Sequence, residues 1–297
     1  MSEGRVIRDE GKRVKEMILE RVKRLEGLRD GHYHYQALLD RAAYIEEEFR
    51  SYGFIVERDE FWYHGKLHWN IIATPYGIKD GKQWMVIGAH YDAVIESPGA
   101  DDNASGVAVM LEAARTLGPQ EGLKFVAFTL EEPQAGSLNF LIGSKHFVKK
   151  MRSAHQNYQG VFILESVGYI SHSPDSQMLP PLIKAPDVGD FIGIVGNRKA
   201  KGIMEAFQTA ASIYVPRLKV VTHRAMMRGL FLIHTRFSDH APFWDSGYPA
   251  VMITDTAMFR NPNYHTPYDT SDTLSPDFMA DIAEALIHTV RNLLDSP

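Results

Sequence analysis

Histidine and carboxylate side chains follow the apolar segments of this sequence. His90 comes two residues after the apolar run WMVIG, Glu131 and Glu132 come directly after KFVAFTL, and Glu165 comes directly after GVFIL. Because the chain has no cysteine, only histidine and carboxylate groups could hold a metal ion. Such ligands suit zinc, manganese or cobalt. The pattern therefore indicates metal chemistry and excludes thiol chemistry.

Two further groups of this kind lie in loops. Asp101-Asp102 precede a predicted helix that starts at Ser105, and His265 lies in the loop NPNYHTPYDT after the apolar run PAVMIT. In open α/β sheets, ligands bind beyond the carboxyl ends of the strands, so all these groups are expected at one edge. Without a cation, gathered carboxylates would repel one another or stay unpaired. A lone histidine or acidic pair is most often structural or solvated, but the joint occurrence favours a metal site.

The segments that carry these groups have the lengths and compositions of strands and helices in alternation. Short apolar runs rich in β-forming residues predict strands, and apolar residues at helical spacing predict helices. Strands that alternate with helices predict an α/β fold, with a mostly parallel mixed central sheet and helices on both faces. The predicted strands span residues 54–63, 68–73, 84–88, 124–130, 160–164 and 249–254, and the later helices span 105–117, 144–151 and 275–294.

The remaining segments define the predicted domain organisation. With 297 residues and 44% hydrophobic content, we expect a single domain over residues 1–297. Two amphipathic helices are predicted at about 11–53. Between about 171 and 236 the pattern predicts a loop-rich excursion over one end of the sheet, with a strand at 191–195 and a helix near 202–211.

Charge and hydropathy restrict the partners. The chain has 32 basic and 37 acidic residues without long runs of one sign, for a net charge of −5, which argues against nucleic-acid binding. No stretch has the apolar length of a membrane span, so no membrane partner is expected. The first thirty residues lack the apolar core of a signal peptide. We therefore expect a cytoplasmic protein.

Six segments carry a resemblance to a known family. They are GAHYDAV, GADDNASGVAVMLEAAR, FVAFTLEE, GSKHFV, SDHAPFW and YHTPYDT. Together they resemble the zinc aminopeptidases with co-catalytic metals, which include the bacterial leucyl aminopeptidase and aminopeptidase S types. Glutamate carboxypeptidase and glutaminyl cyclase are relatives of this family. The resemblance runs from about residue 84 to residue 294 and implies a zinc exopeptidase fold of α/β/α layers.

The resemblance also implies roles for individual residues. Asp101 corresponds to the carboxylate that bridges two zinc ions. His90 and Glu165 correspond to the further ligands of one ion, and Glu132 and His265 to those of the other. The family commonly presents its bridging carboxylate through a cis peptide bond, which predicts a cis bond between Asp101 and Asp102.

The same resemblance implies the residues that support catalysis. Glu131 corresponds to the general base, and Asp92 would accept the second imidazole N–H of His90. Asp239 and Asp269 match motif positions with supporting roles. Where Glu165 stands the family has aspartate, so this ligand is expected to bind its ion more weakly.

The function that these features predict is hydrolysis of N-terminal residues from peptides, with water activated by two zinc ions. Three alternatives stay open at the level of the sequence. A glutaminyl-cyclase-like acyltransferase would hold one zinc ion, and a carboxypeptidase or small-amide hydrolase would need a cationic pocket from Arg236 or Arg260. A non-catalytic binding relative would keep the fold without the metals. Met258 and Phe259 suggest an apolar specificity pocket, and Tyr264, His234 and Arg236 are candidate oxyanion donors.

Overall fold

The architecture is based on a mixed β-sheet. A computed structural model describes residues 3–77, 83–134, 139–178 and 186–295. Within these ranges, eight strands form a single sheet. The strands are β1 (Ile55–Tyr63), β2 (Lys66–Thr74), β3 (Gln83–His90), β4 (Leu123–Phe128), β5 (Asn157–Glu165), β6 (Phe191–Gly196), β7 (Lys219–Arg224) and β8 (Ala250–Thr254).

The strands lie in the order β1-β2-β4-β3-β5-β8-β6-β7. The central strands β4, β3, β5 and β8 are parallel neighbours, and β6 pairs with β7 in parallel. The pairs β1–β2, β2–β4 and β6–β8 are antiparallel. The predicted α/β fold with a mostly parallel mixed sheet is therefore confirmed.

Helices cover both faces of the sheet. One face packs against α1, α2, α3, α5 and α7, and the other packs against α4 and α6. None of the helices in the described part of the chain combines the length and the apolar character needed to cross a lipid bilayer. The helices are α1 (Glu3–Leu25), α2 (Tyr35–Ser51), α3 (Gly106–Leu117), α4 (Ile142–Ser153), α5 (Lys201–Tyr214), α6 (His240–Asp245) and α7 (Pro276–Leu294).

The position of the central strand β3 explains why its segment of the sequence is a continuous apolar run. Met85 and Ile87 belong to the larger core on the α3 face, whereas Trp84 and Val86 belong to the smaller core on the α4 face. Successive side chains of a strand point to opposite faces, so a strand covered on both sides is apolar at every position. Because the strand is buried on both faces, a functional polar side chain can be placed only at its end.

The segment from residue 171 to residue 236 differs from the prediction in one respect. Its strand and helix lie where the sequence predicts them, as β6 and α5, but β6 and the unpredicted β7 extend the central sheet beyond β8. The segment is therefore part of the sheet and its covering layer, not an excursion over one end. Its proline-rich part at residues 179–185 lies outside the described residues.

Candidate metal centre

The carboxyl ends of the parallel strands β4, β3, β5 and β8 meet at one edge of the sheet. His90 is the last residue of β3 and Glu165 the last residue of β5, while Glu131 and Glu132 follow β4. His265 reaches the same edge from the loop after β8. The structure thus brings together the polar groups that the sequence places after apolar segments.

Asp102 lies between the two histidines. Its Oδ1 is 3.2 Å from His90 Nε2, and its Oδ2 is 3.0 Å from His265 Nε2. Glu165 Oε2 lies 3.5 Å from His90 Nε2, and Glu132 Oε1 lies 3.2 Å from His265 Nε2. One carboxylate therefore turns an oxygen toward each of two clusters, His90 with Glu165 and His265 with Glu132.

The atoms that converge here have the chemistry and environment of metal ligands. Four of them are buried without a hydrogen-bond partner: His90 Nε2, Asp102 Oδ1, Glu132 Oε1 and His265 Nε2. Buried polar atoms in folded proteins normally have such partners, so this group needs an explanation. One ligand atom each of His90, Asp102 and Glu132 lie within 4.8 Å of one another. Imidazole nitrogen and carboxylate oxygen are ligands that zinc prefers, so the residues fit the expected zinc site.

The pKa values of the two histidines indicate a place for positive charge. Burial lowers the pKa of His90, but Glu165 and Glu131 outweigh burial and hold it well above the ordinary value. Burial likewise lowers the pKa of His265, but Glu132 and Asp102 raise it to about 11. The carboxylates thus favour a cation between them, which a divalent metal supplies while both imidazoles stay neutral.

The glutamates have raised pKa values. Burial raises the pKa of Glu132 and of Glu165 to about 7. Burial also raises the pKa of Glu131 well above its ordinary range; His90 opposes this shift, whereas Glu165 and Glu132 add to it. Carboxylates that burial and like-charged neighbours perturb in this way are typical of functional sites.

Asp92 lies behind the ligands and contacts both ligand-bearing segments. Its Oδ1 is 3.4 Å from His90 Nδ1. The same carboxylate accepts the backbone N–H groups of Glu131 at 3.1 Å and Glu132 at 3.2 Å. Asp92 therefore faces the His90 imidazole and also fixes the backbone of the glutamate pair. The sequence predicts the contact with His90 but not the contacts with the glutamates.

Asp101 points away from both clusters, and the prediction that it bridges two ions is wrong by one residue. Its Oδ1 accepts the N–H of Gly168 at 2.8 Å, and its Oδ2 accepts the side-chain amide of Asn261 at 2.7 Å. Asp102 instead directs one carboxylate oxygen toward each histidine. The cis peptide bond also lies one residue further along, between Asp102 and Asn103.

Side-chain hydrogen bonds around this loop set which of the two aspartates faces the centre. Asn103 donates its amide to the carbonyl of Leu164 at 2.8 Å and accepts the N–H of Ser166 at 3.1 Å. Asp269 accepts the backbone N–H groups of residues 101 and 102 at 2.9 and 3.1 Å. The loop is thus fixed to β5 on one side and to the loop that carries His265 on the other.

Glu165 reaches the centre despite its extra methylene. The hydroxyl of Ser238 donates a hydrogen bond to its Oε2 at 2.6 Å. The same oxygen faces His90. Ser238 belongs to the SDHAPFW segment, in which Asp239, but not the serine, is predicted from the sequence to have a supporting role. The hydroxyl restricts the longer side chain to a rotamer that points at the cluster.

An apolar cavity of about 120 Å³ opens beside Glu165. Its floor is one face of the outer strands β8, β6 and β7, and the segment from Leu232 to Phe237 covers it. The predicted pocket residues Met258 and Phe259 line this cavity. Its other lining residues include Phe191, Gly193, Val195, Val221, His223, Met252, Thr254, His234 and Tyr264.

The remaining histidines are distributed differently. His240 is buried and donates a ring N–H to the carbonyl of Thr235 at 2.7 Å, which is a structural contact. His146 lies 3.3 Å from Asp59 on the α4 face. His234 lines the cavity, and its Nδ1 is buried without a hydrogen-bond partner. Of these three histidines, only His234 lines the cavity beside Glu165.

The two arginines proposed for a cationic pocket make other contacts. Arg236 donates to the carboxylate of Asp245 at 2.7 Å. Arg260 is buried, donating to the side chain of Gln177 at 2.9 Å and to the carbonyl of Phe191 at 2.7 Å. Neither arginine is among the residues that line the cavity beside Glu165. Part of the loop after Glu132, residues 135–138, lies outside the described residues.

The chain is similar in sequence to known proteins and matches the model of one protein family. The model of peptidase family M28 matches residues 70–290. The chain is 37% identical over 270 residues to the uncharacterized protein YfbL of Escherichia coli, covering 86% of this chain and 80% of that protein. It is 27% identical over 298 residues to a probable leucine aminopeptidase of Arthroderma otae, covering 94% of this chain and 72% of that one.

The fold matches solved structures at lower identity. The aminopeptidase LapA of Legionella pneumophila superposes with a TM-score of 0.74 at 17% identity, over 99% of this chain and 76% of that one. Glutaminyl cyclase of Porphyromonas gingivalis superposes with a TM-score of 0.67 at 20% identity, over 95% of this chain and 98% of that one. At these identities the likeness shows the shared fold alone.

Proposed function

Because the chain belongs to peptidase family M28, we propose that it is a zinc-dependent aminopeptidase that uses two zinc ions. In this assignment Asp102 would contribute a ligand to both ions. His90 and Glu165 would hold one ion, and Glu132 and His265 would hold the other. Leucine aminopeptidases among its relatives support this type of activity.

The observation that carries this proposal is the orientation of the two carboxylate oxygens of Asp102. Each of its oxygens faces one histidine–glutamate pair, at 3.2 Å from His90 Nε2 and 3.0 Å from His265 Nε2. A single metal ion needs only one such pair. The second pair, His90 with Glu165, therefore supports a two-ion enzyme over the one-zinc arrangement expected for a cyclase.

When bound, zinc supplies a Lewis acid that activates water for hydrolysis. The chain's own contribution is proton transfer and orientation. Glu131 Oε2 lies 4.0 Å from His90 Nε2, at the edge of the cluster that contains Glu165. Its raised pKa suits a group that takes a proton from water and gives it to the leaving nitrogen. Tyr264 stacks on the His265 ring at 3.9 Å and lines the cavity, so its hydroxyl is our candidate oxyanion donor.

The cavity beside Glu165 is the proposed pocket for the side chain of the N-terminal residue. A dry cavity of about 150 Å³ holds one benzene molecule, so this space suits one medium-sized apolar side chain. The lining combines aliphatic, aromatic and methionine side chains with His223 and His234. This lining favours peptides whose N-terminal residue is leucine or phenylalanine.

The direct test is zinc analysis combined with a substrate panel. We expect about two zinc ions per chain when the purified protein is reconstituted, and hydrolysis of leucyl anilides but not of N-blocked peptides. Graded chelation followed by metal analysis tests whether the ion held by His90 and Glu165 leaves before the ion held by Glu132 and His265. Release of pyroglutamate from N-terminal glutamine, with one zinc ion bound, would instead favour a cyclase.

The proposed pocket predicts the effect of filling it. Val221→Phe on β7 should lower kcat/KM for leucyl substrates by about 10- to 200-fold, the range for lost apolar complementarity, and should affect alanyl substrates less. Thr222→Phe is the matched control, because the next residue of a strand points to the opposite face and Thr222 is exposed. Equal effects of both substitutions on both substrates would contradict this pocket assignment.

A further inference from the structure

The segment between α1 and α2 contacts three of the loops that hold the metal centre. We call this segment the helical linker (residues 26–34). It belongs to the N-terminal region that carries none of the six family-like segments. Its contacts are made by Glu26, Arg29 and Gly31.

Arg29 makes the most extensive of these contacts. Its guanidinium donates to the carbonyl oxygens of Tyr91 at 2.9 Å and Gly99 at 2.8 Å. It also donates to the carbonyl of Pro98, which accepts the backbone N–H of Gly27 as well. The side chain is 1% exposed. One buried cation therefore joins two parts of the same loop, the end of β3 and the turn before the acidic pair.

These carbonyls are close in sequence to two ligands. Tyr91 follows His90 directly, and Gly99 lies three residues before Asp102. A planar guanidinium with several fixed donors can hold separated carbonyls at one distance and angle, which an ammonium group cannot do. Movement of Arg29 would therefore change the relative positions of His90 and Asp102.

The other two contacts reach the remaining ligand loops. Glu26 accepts the backbone N–H of Ser271 at 2.8 Å and its hydroxyl at 3.0 Å, two residues after Asp269. A Cβ at Gly31 would lie 2.3 Å from Leu130 Cδ2, so Gly31 packs closely against the segment before Glu131, and a side chain here would require Leu130 to move. The linker thus packs against the loops of both histidines and of the glutamate pair.

The charge of Arg29 adds to this role. Burial lowers its pKa to about 10, and the carboxylates of Asp269, Asp92 and Asp102 oppose that fall. It therefore stays a cation at neutral pH. From behind the ligands, its charge offsets part of the repulsion among the carboxylates that must converge on the ions.

We propose that the helical linker is a scaffold of the metal centre, and that Arg29 is a positioning residue for His90 and Asp102. The proposal rests on the metal centre of the proposed function. It assigns no contact with substrate to Arg29. It predicts that zinc affinity, and not only activity, depends on a side chain that binds no ion.

The test compares Arg29→Lys with Arg21→Lys. Arg21 is also a buried arginine, 5% exposed, but it donates to Glu112, Glu48 and Tyr52 and to none of the ligand loops. Zinc affinity is measured on the metal-free proteins by competition with a chromophoric chelator, after circular dichroism has shown that each is folded. We expect Arg29→Lys to weaken zinc binding by about 10- to 100-fold, the effect of groups that orient ligands. Arg21→Lys should keep wild-type affinity.

Wild-type zinc affinity in folded Arg29→Lys would overturn the proposal. If that variant does not fold, Glu26→Gln decides, because it removes only one acceptor for Ser271. Weaker zinc binding by Glu26→Gln would support the scaffold, and unchanged binding would overturn it. A wild-type protein that binds zinc but cleaves no leucyl substrate would defeat the proposed function while leaving this inference intact.

Discussion

Replacing Glu131 by glutamine is expected to lower turnover by about 10²- to 10⁴-fold, the range for loss of a general acid–base group. Glutamine has nearly the same shape but cannot accept the water proton. Because Glu131 lies at the edge of the cluster and not between the two histidines, metal content should stay near the wild-type value. Steady-state kinetics together with zinc analysis of the same preparation measure both quantities.

Glu132→Gln provides the matched comparison at the neighbouring position. Glu132 Oε1 is buried, lacks a hydrogen-bond partner and faces His265 Nε2 at 3.2 Å. Its substitution removes an anionic ligand, so zinc should be lost along with rate. If the two variants had the same zinc content and the same rate, the division of roles between these glutamates would be wrong.

The second large effect is expected at the acidic pair. Asp102→Asn should abolish binding of both zinc ions at micromolar metal and lower turnover by more than about 10³-fold, because charge stabilisation by the metals is lost. The reason is that both carboxylate oxygens are in use, one toward His90 and one toward His265. Metal analysis and leucyl-anilide kinetics measure the two losses.

Asp101→Asn is the control one residue away. Burial and the neighbouring Asp255 hold the pKa of Asp101 well above its usual range, so an amide resembles its protonated form. This variant should keep both ions, with turnover reduced by no more than about tenfold, the lower limit for groups beside ligands. Loss of zinc from Asp101→Asn with retention by Asp102→Asn would restore Asp101 as the bridging residue.

The sequence predicts the ligands that end a strand better than those in loops. His90 and Glu165 are the last residues of β3 and β5, where a buried apolar run stops and the direction of the next side chain follows from the alternation of the strand. The central sheet and most of its helices are predictable for the same reason, since burial on both faces imposes continuous apolar runs.

The acidic pair shows the limit of this reasoning. Two adjacent aspartates have the same chemistry, and their loop has no regular period that would assign one to the centre. The choice depends on contacts with Asn103 and Asp269, which join residues distant in sequence. The roles of Arg29 and Glu26 escape the sequence for the same reason, because their hydrogen bonds reach loops distant in sequence and leave no local pattern.

The ligands and the proposed side-chain pocket share strand β8 but otherwise use different strands of the sheet for the ligand loops and for the cavity floor. The ligands follow β3, β4, β5 and β8, whereas the floor of the cavity comes from β8, β6 and β7. Substitutions on the outer two strands can therefore change which substrates are accepted without moving a ligand. During evolution, such a separation lets selectivity diverge between homologues while the hydrolytic chemistry is retained, and it makes the β6–β7 unit the rational target for a library that redesigns substrate preference.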